Sequence, residues 1–160
     1  MRQPKTQPPD ADVRLDQLLC YAIYSAGHAL NRVYKPLLDP LGLTYPKYLV
    51  MVALWERENE TVGELGARLS LESNTLTPLL KRMEADGFIR RTRDPADERQ
   101  VRIALTPKGR ALSLEARAIP GCVFAASGLK LENVQRLQSE ISALRDALTA
   151  SSPVQGTDTV

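Results

Sequence analysis

From Leu15 onward, apolar side chains fall at Leu15, Leu18, Leu19, Ala22, Ile23, Ala26, Leu30, Val33 and Leu37. This three-and-four spacing predicts one long amphipathic helix that ends near Pro36. Pro40 and Gly42 break the chain, and Pro46 suits the first turn of a second, short and apolar helix with Leu49, Val50, Ala53 and Leu54 before Trp55. The run Thr61-Val62-Gly63-Glu64 is a capping box, in which hydroxyl and carboxylate each satisfy a free amide at a helix start, and it predicts a third helix to about Leu69. After Ser70-Leu71-Glu72, Ser73 is the expected cap of a fourth helix that carries Leu76, Leu79, Leu80 and Met83 inward and closes at Asp86-Gly87. Pro78, which forfeits one helical hydrogen bond, predicts a slight kink or a tightened start.

Phe88 to Arg93 and Val101 to Leu105 read as two strands, the second alternating cleanly at Val101, Ile103 and Leu105, with 94–99 as the turn between them. Thr106-Pro107 restarts helix as cap and first residue, and the pattern runs to Pro120-Gly121. A last helix spans about Leu131 to Thr149, where Val134, Leu137, Ile141, Leu144 and Leu148 form a coiled-coil-like seam. With the first helix it is the expected dimerisation surface. The fold class is therefore mainly α, a helix-turn-helix with a following hairpin, flanked by N- and C-terminal dimerisation helices. In residue terms, 1–12 and 151–160 are polar, Pro-rich or Ser-rich tails, and 13–150 is one domain. Within it, 61–105 is the DNA-binding lobe, and 13–40 and 107–149 are the dimerisation helices.

Composition narrows the function. With 160 residues, 43% apolar and only 5% aromatic, the chain carries a core but few strand-favouring residues. No apolar run approaches the roughly 18 residues that cross a bilayer, and no apolar signal core opens the chain, so a cytoplasmic protein without membrane association is expected. Two cysteines and one histidine make a disulfide scaffold or a metal site improbable, and no cofactor is implied. The net charge is +2, yet Ser73 to Arg110 holds nine basic and five acidic residues, which leaves the remainder at −2. A localised basic segment points to an anionic partner, although any exposed face is polar.

The order of the elements makes that partner double-stranded DNA. Ser73, Asn74, Thr75, Thr77, Lys81 and Arg82 occupy the start and outer face of the fourth helix, where a recognition helix meets the major groove. Arg99, at the hairpin tip, is placed to enter a minor groove, with Asp97 bracing its guanidinium.

The run Asp97-Glu98-Arg99 followed by Leu105-Thr106 and Gly109 resembles the wing signature of the MarR-family transcriptional regulators, which are winged-helix dimers. The blocks 19–26, Tyr34 to Leu38, Leu43 to Tyr48 and Thr75 to Arg82 are similar to the organic hydroperoxide resistance regulators within that family. The likeness covers about residues 15 to 149. It implies a homodimeric repressor in which an organic hydroperoxide oxidises Cys20 and so releases a pseudo-palindromic operator. Tyr34 and Tyr45 match two tyrosines whose hydroxyls reach across the dimer to the reactive sulfur. Cys122 matches the second cysteine of two-cysteine members, which resolves the sulfenic acid as an intersubunit disulfide.

The residues themselves leave other readings open. A cysteine on an apolar helix is more often a small buried hydrophobe, the tyrosines suit amphipathic packing, and Cys122 suits an inert junction. His28 and Trp55 read as helix-surface and core residues. The periodic pattern puts Cys20 in mid-helix, four residues after Asp16, whose charge opposes ionisation of the thiol. Tyr34 lies fourteen residues beyond Cys20, roughly 21 Å along a straight helix, so the two cannot touch within one chain. The rivals are a repressor released by a small apolar or phenolic ligand in the dimer cleft and, further off, a thiol peroxidase.

Overall fold

The computed structural model describes residues 13–151, and the stretches 1–12 and 152–160, read above as tails, lie outside the described residues. After a 3-10 turn at Leu15–Gln17, the elements run α1 (Leu19–Leu38), α2 (Tyr45–Glu56), β1 (Glu60–Thr61), α3 (Val62–Leu69), α4 (Ser73–Ala85), β2 (Ile89–Arg93), β3 (Val101–Leu105), α5 (Pro107–Ala116), α6 (Ile119–Ser127) and α7 (Leu131–Ser151). Contacts gather these into two compact units, one up to Ile119 and one from Pro120 onward.

The core of the first unit lies between α2, α3, α4 and the sheet. Val50, Met51, Leu54, Leu65, Leu76, Leu80, Met83 and Ile103 are fully enclosed there, and Phe88 and Ile89 close it from the hairpin. α3 starts where the capping box predicts: the Thr61 hydroxyl accepts from the Glu64 amide, and the Glu64 carboxylate accepts from the Thr61 amide. The Thr61 amide, followed by the Thr61 side chain, holds the Glu64 carboxyl below its ordinary pKa against the opposing cost of burial, with Arg57 and Arg102 adding to the effect. The turn into α4 is tight because Ser70 adopts a left-handed conformation and Leu71 donates to the Gly66 carbonyl. A Cβ on Gly66 would lie 2.8 Å from the Leu71 oxygen, so this approach requires glycine.

The sheet has a strand that the hydrophobic pattern does not announce. β1 is two residues long and pairs antiparallel with β3 (Glu60 with Ile103, Thr61 with Arg102), giving the order β1-β3-β2. It carries a buried carboxylate, Glu60, which ion-pairs with Arg57 and Arg68 at 2.8 Å each. Two residues show no period, which is why this strand is invisible in the sequence.

Three local expectations are corrected. The first helix does not begin at Leu15: Leu18 is extended (φ −83°, ψ 119°) and separates the 3-10 turn from α1. It ends at Leu38, two residues beyond Pro36 and so near the expected end. Glu72, rather than Ser73, precedes α4, its carbonyl accepting the amides of Thr75 and Leu76, and no side chain caps that helix. Pro120-Gly121 does not end a helix but opens α6, where a proline without N–H fits the first turn.

α1 and α7 differ from the rest in what they enclose. Along α1 only Leu38 is buried, while Leu19, Tyr21, Ile23, Tyr24 and Leu30 are exposed. α7 buries nothing, and Leu137, Ile141 and Leu148 of its seam are exposed, as is Leu131 at its start. No helix among the described residues is long and apolar enough to cross a membrane.

Candidate nucleic-acid interface and thiol sites

α4 is two-sided as the spacing predicts. Leu76, Leu79, Leu80 and Met83 are buried, Ser73, Asn74, Thr75, Lys81 and Arg82 are exposed, and Thr77 is half-buried. The Asn74 side-chain oxygen accepts the Thr75 hydroxyl at 3.3 Å, while no ion pair engages Lys81 or Arg82 among the described residues.

The hairpin is held rigid at its root. The buried Asp94 carboxylate accepts from the Ala96 amide at 2.8 Å and from Arg102 Nε at 2.6 Å, and Arg102 Nη1 reaches the Asn59 carbonyl. The Ala96 amide, followed by the Arg102 guanidinium, holds the Asp94 carboxyl below its usual pKa against the opposing cost of burial. At the tip, the expectation that Asp97 braces the Arg99 guanidinium is corrected. Asp97 Oδ1 accepts from the Arg99 backbone amide at 3.1 Å, and Oδ2 accepts from the Gln100 side chain at 3.1 Å. A carboxylate two residues before an amide closes a local turn more readily than it reaches a long guanidinium, so Asp97 shapes the tip and leaves the Arg99 head exposed.

Between α4 and the hairpin runs an open groove of about 520 Å³. Of the residues singled out in the sequence, Ser73, Thr77 and Arg99 line it together, whereas Asn74, Thr75, Lys81, Arg82 and Asp97 do not. Arg91, which the sequence reading missed, lines it too. Strand alternation held the signal: Arg91 is two residues from the buried Ile89 and so shares the face that meets α4. Glu84 of α4 accepts the Arg91 backbone amide at 2.8 Å, tying β2 to α4.

The thiols lie elsewhere. Cys20 is exposed and is the second residue of α1, which corrects its expected mid-helix position. Asp16 does not oppose it from the same helix, being in the preceding 3-10 turn and ion-paired with Arg14 at 2.9 Å. Cys122 is exposed in the first turns of α6, within the second unit.

Tyr34 and Tyr45 are half-buried, with ring centroids 4.7 Å apart, and Tyr34 stands 5.7 Å from the buried Tyr48. Tyr48 meets Trp55 edge-on, and the half-buried Trp55 donates from Nε1 to the Gly109 carbonyl at 3.0 Å. Burial raises the pKa of all three phenols, and their mutual proximity raises those of Tyr34 and Tyr48 further. They therefore remain hydroxyl donors at neutral pH. Tyr34 and Cys20 are both on α1, fourteen residues and about 21 Å apart, so one chain does not bring them together. His28 is exposed against Tyr24, as expected.

A three-stranded sheet with a basic hairpin, beside two short helices joined by a tight turn, defines a winged helix-turn-helix protein. Comparison with known proteins extends this. The model of the family described as transcriptional regulator SarA/Rot matches residues 32–115. The HTH-type transcriptional regulator TtmR of Methylorubrum extorquens is 49% identical over 136 residues, 85% of this chain and 70% of that protein. The organic hydroperoxide resistance transcriptional regulator of Bacillus subtilis is 43% identical over 136 residues, 85% of this chain and 92% of that protein. Among solved structures, reduced AbfR bound to DNA has a TM-score of 0.70 at 33% identity, covering 85% of this chain and 95% of that one. Disulfide-formed AbfR has a TM-score of 0.57 at 33% identity, covering 86% and 91%; AbfR is a protein of Staphylococcus epidermidis. The chain belongs to the MarR/SarA winged-helix family of transcriptional regulators.

Proposed function

We propose that the protein is a homodimeric, redox-sensing repressor that binds a pseudo-palindromic operator and is released from it when an organic hydroperoxide oxidises Cys20. The observation that carries this reading is the placement of Cys20: exposed in the first turn of a helix that leaves Leu19, Ile23 and Leu30 exposed, and about 21 Å along that helix from Tyr34 of its own chain. A second copy packed on that face covers Leu19, Ile23 and Leu30 and brings the Tyr34 and Tyr45 hydroxyls of the partner subunit to the sulfur. The Bacillus and AbfR relatives support the same chemistry.

In that site the Cys20 thiolate attacks the distal peroxide oxygen. The O–O bond breaks, the sulfur keeps the hydroxyl as a sulfenic acid, and the alkoxide takes up the proton the thiol released on ionising and leaves as the alcohol. The partner's Cys122 thiol then attacks that sulfur, forming the disulfide and expelling water. The reaction is stoichiometric in protein. The DNA contacts fall on Asn74, Thr75, Lys81 and Arg82 in the major groove and on Arg99 in the minor groove, with half-sites about one turn, roughly 34 Å, apart. A disulfide that shifts the two lobes misaligns them with that spacing.

The test uses wild type, Cys20→Ser and Cys122→Ser, each treated with about one equivalent of an organic hydroperoxide and read by intact mass and non-reducing mobility. A covalent dimer that requires both cysteines is expected. An unreactive Cys20 overturns the redox reading, and a cross-link that persists in Cys122→Ser removes that residue as resolver.

One observation favours a second reading. A groove of about 270 Å³ opens beside Tyr45, walled by Asn31, Lys35, Leu38 and Leu43, and is large enough for a small phenolic ligand. Ligand-induced release of DNA that survives Cys20→Ser supports it.

A further inference from the structure

The groove between α4 and the hairpin has a wall chemistry that the functional reading leaves unused. Ser73 and Thr77 approach from α4, Arg91 from β2, Arg99 and Gln100 from the hairpin and Gly63 from the start of α3, and no carboxylate lines it. Arg91 is mostly enclosed, with 21% of its side chain exposed, and its Nε is buried without a hydrogen-bond partner. Its nearest carboxylate, Glu84, stands 3.7 Å from Nη1 and is already bonded to the Arg91 backbone amide. A guanidinium this desolvated and this incompletely paired is costly in the free protein, and an anionic oxygen in the groove offsets that cost.

The geometry of a winged helix on a duplex supplies the anion. With α4 in the major groove and the hairpin in the adjacent minor groove, the element between them is a single sugar-phosphate backbone, which has to cross the gap the groove occupies. We propose that Arg91, assisted by the hydroxyls of Ser73 and Thr77, grips one backbone phosphate per protomer, the one linking the major-groove and minor-groove contacts. This rests on the DNA-binding reading and deepens it. Arg91 becomes the anchor that sets the register of the lobe on the duplex, and Ser73 and Thr77 become phosphate donors rather than base readers.

The experiment uses the full-length reduced protein and a duplex that the wild type recovers from a randomised pool. Phosphate-ethylation interference locates the phosphates that matter, and a single neutral methylphosphonate is then placed at the one between the two groove footprints. The wild type is expected to lose about tenfold in affinity on the modified duplex. Arg91→Gln is expected to lose about tenfold on the unmodified duplex and nothing further on the modified one, with a salt slope shallower by about 0.9 per bound protomer. Equal penalties from the methylphosphonate in wild type and variant, or an unchanged slope in Arg91→Gln, overturn the assignment. Should the variant fail to fold, the wild-type interference pattern decides alone, and absence of interference at the linking phosphate overturns the proposal. Recovery of no duplex by the wild type is a different failure, that of the DNA-binding reading itself.

Discussion

The winged lobe and helix α1 are built from similar apolar side chains, yet one closes upon itself and the other does not. In the lobe, Leu65, Leu76, Leu80 and Ile103 have no exposed surface, and the polar groups between them are paired: Glu60 with Arg57 and Arg68, Asp94 with Arg102. Along α1, Leu19 is 61% exposed, Ile23 40% and Leu30 45%, and only Leu38 is buried. The lobe carries its fold in its own residues. The outer helices leave their apolar side chains open, and apolar stripes of this length are stable in water only when another surface covers them.

That contrast is open to direct attack. The largest effect is expected from Leu80→Ala, which removes an enclosed side chain of α4 and should destabilise the lobe by about 2–5 kcal/mol in urea unfolding. Gly109→Ala comes next, because its new Cβ would lie 2.1 Å from the Phe88 oxygen where α5 begins; about 3 kcal/mol is lost, read by the same unfolding curve. Thr61→Ala opens the capping box and costs about 1 kcal/mol.

Acid probes the hairpin root more gently. Asp94 has a folded pKa below its ordinary value, so its contribution to stability is fully present above about pH 4 and is lost as pH falls through the folded pKa. Asp94→Asn should therefore destabilise at neutral pH and flatten the acid limb of a melting-temperature profile; an unchanged limb means the carboxylate does not hold the hairpin. The smallest effect on the lobe is expected from Leu30→Asp, within about 0.5 kcal/mol of wild type on the lobe's own unfolding, because the site is exposed in the single chain. The same change should convert a dimer to a monomer in sedimentation equilibrium. If it unfolds the lobe instead, the contrast between the two regions is wrong.

Much of the architecture is legible because it depends on local chemistry. The capping box, the turn before α4, the buried row of α4, and Thr106 with Pro107 at the head of α5 each need only a few neighbouring residues, and each lies where the sequence predicts. Misreadings came where tertiary contact or an irregular backbone overrode periodicity. The apolar spacing runs unbroken from Leu15, so it does not reveal the extended Leu18 that makes Cys20 a first-turn residue. Asp97 was assigned to a guanidinium, while the adjacent amide won through proximity. Strand alternation puts Arg91 on the inner face of β2, but its burial arises only from α4 packing beside that strand.

Capping, periodicity and helical rise are properties of short stretches, so the sequence alone carries α1 to α4, the basic hairpin, the start of α5, the last helix, the two-sided character of α4 and the separation of Cys20 from Tyr34. The packing of the whole settles that β1 completes the sheet, that Ser73, Thr77, Arg91 and Arg99 share one groove, and that Leu19, Ile23 and Leu30 of α1 are exposed. Those outcomes depend on which surfaces remain once the core has closed, and burial is a property of the packed whole that no window of sequence contains.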